Sequence, residues 1–256
     1  MKNITKMFSI FILIAVIILV LAACKTEADD NKDGPTHYAN TLTISGQQVW
    51  GINFQASSPR DQYYKFTEDR DINVFIRFYD ENSIETGKEN TSVTSDKVVG
   101  SGKIEKGILS FNVGKPEPED LQNWNVLKSR EFFFWHDAVV DVPEVNGTQY
   151  MLITTGGNRL NKETIVGTRT SISQEIVRFI YVDRDCKITG TSGNGKFGSQ
   201  NPAFYITNNK LDLSLKKGWN TVWRKETYEN ITGDAQISME IKNPDHKWAI
   251  YLPRDY

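Results

Sequence analysis

Cysteine is almost missing: the 256 residues hold two, Cys24 and Cys186. A fold stapled by several disulfides and a four-cysteine metal centre are both excluded by that count. Histidine is nearly as scarce, and His37, His136 and His246 lie far apart without zinc-ligand spacing, so no metal is expected. An excess of basic charge is lacking too. The formal net charge of -2 gives no electrostatic footprint for nucleic acid, and no such partner is expected. After residue 23 no apolar run reaches spanning length, and no amphipathic helix of several turns is visible. The sequence from Gly193 to Gly198, GNGKFG, matches a dinucleotide fingerprint in form only. That chemistry needs a helix opening at the last glycine, whereas Ser199, Gln200, Asn201 and Pro202 follow. It reads as a hairpin loop, and no cofactor is expected.

What is present begins at the amino terminus. Lys2 and Lys6 precede an uncharged apolar stretch from Met7 to Ala23, a basic and then apolar leader that ends in small residues. Its last three residues with the cysteine, Leu21-Ala22-Ala23-Cys24, resemble the lipobox of bacterial lipoprotein precursors. The resemblance implies a signal peptide over 1–23, cleavage before Cys24, and a diacylglyceryl group with further acylation, such as palmitate, on that residue. Two or more acyl chains supply the second signal that stable membrane attachment needs. The expected location is therefore a bacterial cell envelope, with membrane lipid as a partner through Cys24. Residues 24–40 are polar, acidic and broken by Gly34 and Pro35, which suits a flexible tether.

Beyond the tether, hydrophobicity alternates with period two. INVFIRFYD sets Ile72, Val74, Ile76 and Phe78 on one face, and GILSFNV does the same with Leu109, Phe111 and Val113. KLDLSLKKG aligns Leu211, Leu213 and Leu215, while QISMEIK aligns Ile237, Met239 and Ile241. TLTIS, VWGINFQA, EFFFWHD, QYMLITT, QEIVRFIYVD and KWAIYL also read as strands, punctuated by glycine-containing turns. The pattern predicts an all-β protein, an antiparallel β-sandwich, with a small closed barrel as the alternative. GKPEPEDLQNWNVL predicts one short helix, since prolines and acidic residues precede Leu121 and Trp124. It falls near the junction of an N-terminal region, 41–125, and a C-terminal region, 126–256. These form one continuous domain or two small modules. In the C-terminal region, FIYVDRDCKITG, LDLSLKKGWNTVW and HKWAIYL resemble β-sandwich modules of spirochaete-type lipoproteins, which implies a scaffold and no catalytic residue.

The remaining chemistry is thin. Cys186 reads as a buried, inert thiol. Asp183 and Asp185 flank Arg184, and Glu68, Asp69 and Asp71 form a second acidic group; either reads as solvated turns or as loop carboxylates of an exported carbohydrate-active hydrolase. Trp135, Trp219 and Trp223 are the candidate ligand-binding residues, since an aromatic platform suits a glycan or an envelope protein. The leading expectation is a lipid-anchored envelope protein with a non-catalytic binding or structural role.

Overall fold

The alternating stretches form strands. The structure, a computed structural model, describes residues 36–53, 62–79, 93–132, 135, 137–167, 171–191, 196–197, 204–206, 210–229 and 234–252. Cys24, His136 and the glycines of the GNGKFG loop lie outside them. In chain order the strands are β1 His37–Tyr38, β2 Leu42–Asn53, β3 Gln62–Lys65, β4 Arg70–Tyr79, β5 Val93–Glu105 and β6 Ile108–Val113. They continue with β7 Gln122–Asn123, β8 Val139–Val140, β9 Asn146–Thr154, β10 Arg159–Gly167, β11 Ser171–Val182 and β12 Cys186–Thr191. The last six are β13 Lys196–Phe197, β14 Phe204–Ile206, β15 Lys210–Leu215, β16 Gly218–Glu229, β17 Asp234–Ile241 and β18 Lys247–Tyr251.

The all-β expectation holds, but the arrangement is a mixed β-barrel and not an antiparallel sandwich. Eight strands close in the order β4-β5-β6-β2-β18-β10-β11-β9. β9 makes the closure: it pairs along Ile72–Ile76 of β4, while its own ends pair with Leu160 of β10 and Ile180 of β11. β18 runs parallel to β2, from Trp248 beside Val49 to Tyr251 beside Ile52, which makes the ring mixed. Closure removes the open edges that a sandwich would leave on these strands. Gly147 permits one of these contacts, because a Cβ there would sit 2.4 Å from the Tyr181 carbonyl oxygen.

Side chains fill the barrel. Ile72 and Val74 point inward with Leu109, Phe111, Leu152, Val177 and Ile250. Aromatic rings occupy the centre: Tyr150 stacks on Phe179 at 5.5 Å, Phe179 on Trp248 at 6.2 Å, and Phe111 meets Trp248 edge-on at 5.8 Å. Such pairs add about 0.5–1.5 kcal/mol each beyond the area they bury.

A second core lies on the outer side of β11, β16 and β17. There the three-stranded sheet β15-β12-β8 contributes Leu211, Leu213, Leu215 and Ile188, which meet Ile180, Val182 and Ile237. β11 is consequently buried on both faces, with Phe179 and Tyr181 toward the barrel and Ile180 and Val182 toward the second core. This explains why the stretch from Phe179 to Val182 is continuously apolar. All of these strands belong to one compact unit, Asp33–Tyr256.

A short helix is present, but over Trp124–Glu131; the proline and acidic residues expected to open it form a 3-10 turn at Pro118–Asp120 instead. Asn123 caps the helix by accepting from the Val126 amide at 3.2 Å. The strand expected for EFFFWHD is corrected by the same element, since Glu131 is helical and Phe132 is its C-cap. Trp135 donates its amide to the Phe132 carbonyl and Ala138 to that of Trp135, both at 2.9 Å. Phe132 and Trp135 are buried in the second core; Phe133 and Phe134 lie outside the described residues.

Candidate functional site

The three tryptophans do not share an exposed face. Trp135 is fully buried in the second core, and Trp219 is fully buried in the barrel core. The Trp219 indole N–H donates to the Gly114 carbonyl at 3.1 Å. Trp223 is half-buried against the barrel core. An aromatic surface exists elsewhere: the Lys247 ammonium sits 4.4 Å from the Trp50 ring centroid and 4.7 Å from that of Tyr63.

Most of the acidic residues considered for chemistry are engaged by backbone amides or neighbouring cations. Asp183 accepts the Asn146 amide at 3.1 Å and pairs with Arg184 at the same distance, and those bonds hold its carboxyl below the usual range against the opposing effect of burial. Asp185 accepts the Lys217 amide at 2.8 Å and pairs with Lys216 at 3.0 Å, which also lowers its pKa. Glu68 pairs with Arg70, and Asp69 accepts the Lys106 amide at 2.6 Å. Cys186 is a buried free thiol; burial and three neighbouring aspartates push its pKa up to about 11, which suppresses the nucleophilic thiolate.

Folding unites one cluster that no local motif announces. His246, on the segment between β17 and β18, places Nε2 3.1 Å from Glu175 Oε2 and Nδ1 3.3 Å from the Thr164 hydroxyl. The Trp223 indole nitrogen is 3.2 Å from the same carboxylate oxygen, and Lys225 lies 3.3 Å from the other. An indole N–H only donates and a carboxylate only accepts. All partners are satisfied when Thr164 donates to Nδ1, Nε2–H donates to Glu175, and Trp223 donates to Glu175. That requires neutral imidazole, in keeping with a His246 pKa lowered chiefly by burial and also by Lys162 and Lys242. Nearby, the buried Lys162 donates to Asn243 at 2.6 Å. These bonds fasten the β17–β18 connection to β10, β11 and β16.

A half-open concavity lies at one mouth of the barrel. The inward ends of β4, β5 and β6 provide Ile76, Val99 and Val113, and the segment after β6 adds Pro116. Together they bound a cavity of about 220 Å³. That segment is fixed on two sides, through Gly114 to Trp219 and through Asp120 to Lys97, whose ammonium is 2.5 Å from Asp120 Oδ1. Asp120 Oδ2 also accepts the Glu117 amide at 3.2 Å. The buried carboxylate is thus engaged at both oxygens, while Lys97, Lys115 and Glu117 stand at the rim.

No family model, curated protein or solved structure matches this chain. A smaller cleft of about 60 Å³ lies on the outer wall beneath the helix, between Arg77 and Arg178. Arg77 is held there by two bonds to Asp96, at 2.7 and 2.8 Å. Among the described residues no group of three or more metal-ligating side chains converges. The sequence signal for the mouth cavity was slight: Pro116 and Pro118 mark a chain leaving β6, but nothing local shows that it crosses a barrel end.

Proposed function

We propose that this chain is a lipid-anchored bacterial envelope protein with a non-catalytic role, binding a ligand at one mouth of its barrel. The observation that carries the binding role is the cavity of about 220 Å³. Its floor is the apolar end of a barrel otherwise packed with side chains, and barrel mouths are among the recurrent places for small-molecule sites.

The anchoring role is supported by the charged and apolar leader, by Cys24 at its end, and by the polar residues that follow. An acylated cysteine would hold the barrel at a membrane surface without a spanning segment. Expression of the full chain and of Cys24→Ala in a bacterial host tests the anchor. The parent should incorporate labelled palmitate and sediment with membranes, and Cys24→Ala should do neither. Equal labelling and sedimentation of the two proteins would contradict the reading.

A further inference from the structure

We infer that the outer-wall cleft between Arg77 and Arg178 binds a phosphate group. This site is separate from the barrel-mouth cavity and owes nothing to the lipid anchor. Strand alternation sets the two arginines on the outside of the barrel. Val177 and Phe179, on either side of Arg178, point into the barrel core, and Ile76 beside Arg77 faces the barrel mouth, so both guanidiniums project from the wall. β9 runs between their strands, paired with β4 along one edge and with β11 along the other. Neighbouring strands are about 4.8 Å apart, so the two arginines start roughly 10 Å apart and reach over β9 from opposite sides. Gln149 and Met151 of β9 line the cleft between them, together with Leu127 of the helix.

Size and charge narrow the occupant. One water needs a hollow of roughly 10–15 Å³, so about 60 Å³ holds roughly four or five groups of that size, the heavy-atom count of a phosphate. The cleft is half open, as a phosphate carried on a larger molecule requires. Both arginines are half-buried and reachable, the Arg77 side chain being 25% exposed. Among the described residues that line the cleft there is no carboxylate. Asp96 engages Arg77 through Nε and Nη2 and leaves Nη1 outside the pair. Arg159, exposed on β10 opposite Ile153 of β9, also acts on Asp96, so that one charge is set against two arginines. Arg178 acts on Glu163, a fully buried carboxyl bonded by Tyr251 and Gln174, whose pKa burial raises. Three arginines thus stand against two carboxyls, one of them held toward its neutral form, and the wall keeps a cationic surplus.

Shape selects phosphate over carboxylate. A guanidinium fork meets both oxygens of a carboxylate along one edge, and a single arginine fills that edge. Two forks arriving from opposite sides need an anion with oxygens on several sides, which a tetrahedral phosphate supplies. Arginine only donates, so sulfate, of the same shape, fits by the same rule.

The test uses the full chain in dodecyl maltoside, a detergent without phosphate, and a chloride buffer. Inorganic phosphate, sulfate and acetate are titrated by calorimetry, followed by glycerol phosphate and by dihexanoylphosphatidylglycerol below its micellar concentration. The proteins are the parent, Arg178→Gln, Arg178→Lys, Met151→Phe and Lys115→Met, with circular dichroism melts confirming that each folds. Phosphate and sulfate should bind the parent roughly tenfold more tightly than acetate. Arg178→Gln should weaken phosphate roughly tenfold and Arg178→Lys several-fold, because lysine keeps the charge and loses the fork. Lys115→Met removes an equal charge at the barrel mouth and should leave phosphate binding unchanged. Met151→Phe, which fills the cleft without altering charge, should weaken phosphate several-fold, and it decides the matter if the Arg178 variants do not fold. Tighter binding of glycerol phosphate than of the lipid assigns a soluble phosphate as the source, and the reverse assigns a lipid headgroup; either supports the site. Acetate binding as tightly as phosphate would overturn the phosphate assignment. Absence of phosphate binding, or equal weakening by Arg178→Gln and Lys115→Met, would overturn the site itself. None of these outcomes alters the palmitate and sedimentation results, so the anchor is judged separately.

Discussion

Nε2 of His246 lies 3.1 Å from Oε2 of Glu175. Burial nevertheless dominates the imidazole, lowering its pKa below the value of about 6.5 that it has in an unfolded chain. Glu175 opposes this shift, while Lys162 and Lys242 reinforce it; Lys225 pairs with Glu175, and Thr164 and Trp223 complete the surroundings. The unfolded chain therefore binds a proton more readily than the folded one. The stability that His246 supplies is complete above about pH 6.5 and is lost as pH falls through the folded value. Urea melts of the parent and His246→Gln across pH 8 to 5 should show the parent losing stability relative to the variant on acidification. A parent that gains relative stability in acid would contradict the neutral, buried histidine.

Tyr150 carries a hydroxyl that is buried in the barrel and has no hydrogen-bond partner among the described residues. Desolvation raises its pKa well above the ordinary value, and an unbonded buried hydroxyl costs about 1–3 kcal/mol. Tyr150→Phe keeps the ring contacts with Phe111, Phe179 and Trp219. The variant should melt at least as high as the parent, by up to a few degrees. A lower melting temperature would mean that the hydroxyl has a favourable partner.

Gly147→Ala should destabilise the protein by about 1–3 kcal/mol, because the new methyl meets the Tyr181 carbonyl at 2.4 Å and Leu127 at 3.0 Å. Those contacts lie where β9 joins β11 to close the ring. Denaturant titration reads the effect directly. An unchanged midpoint would show that the two strands are not packed this closely.

Strand faces were legible in the sequence, while their closure was not. GILSFNV and KLDLSLKKG alternate in the structure as their residues suggest, giving buried Leu109, Phe111 and Val113 and buried Leu211, Leu213 and Leu215. Alternation reports that one face is buried, but a barrel interior and a facing sheet satisfy it equally. What makes a barrel is the pairing of β9 with β4 on one side and with β11, beyond its hairpin partner β10, on the other; the β4 and β11 pairings span separations that leave no local trace. EFFFWHD misled because a run of aromatics fits a strand buried on both sides, whereas Asn123 starts a helix that ends just before them. The site was less legible still. Lys97 and Asp120 meet across 23 positions, and Glu175 and His246 across 71, so neither pairing has a motif.

The most direct measurement of the central claim is the intact mass of the protein recovered from bacterial membranes. The recovered chain should begin at Cys24 and be heavier than its amino acids by a diacylglyceryl group, with or without a further acyl chain. A mass equal to the unmodified sequence from Met1, or to a chain cut elsewhere and carrying no lipid, would contradict it.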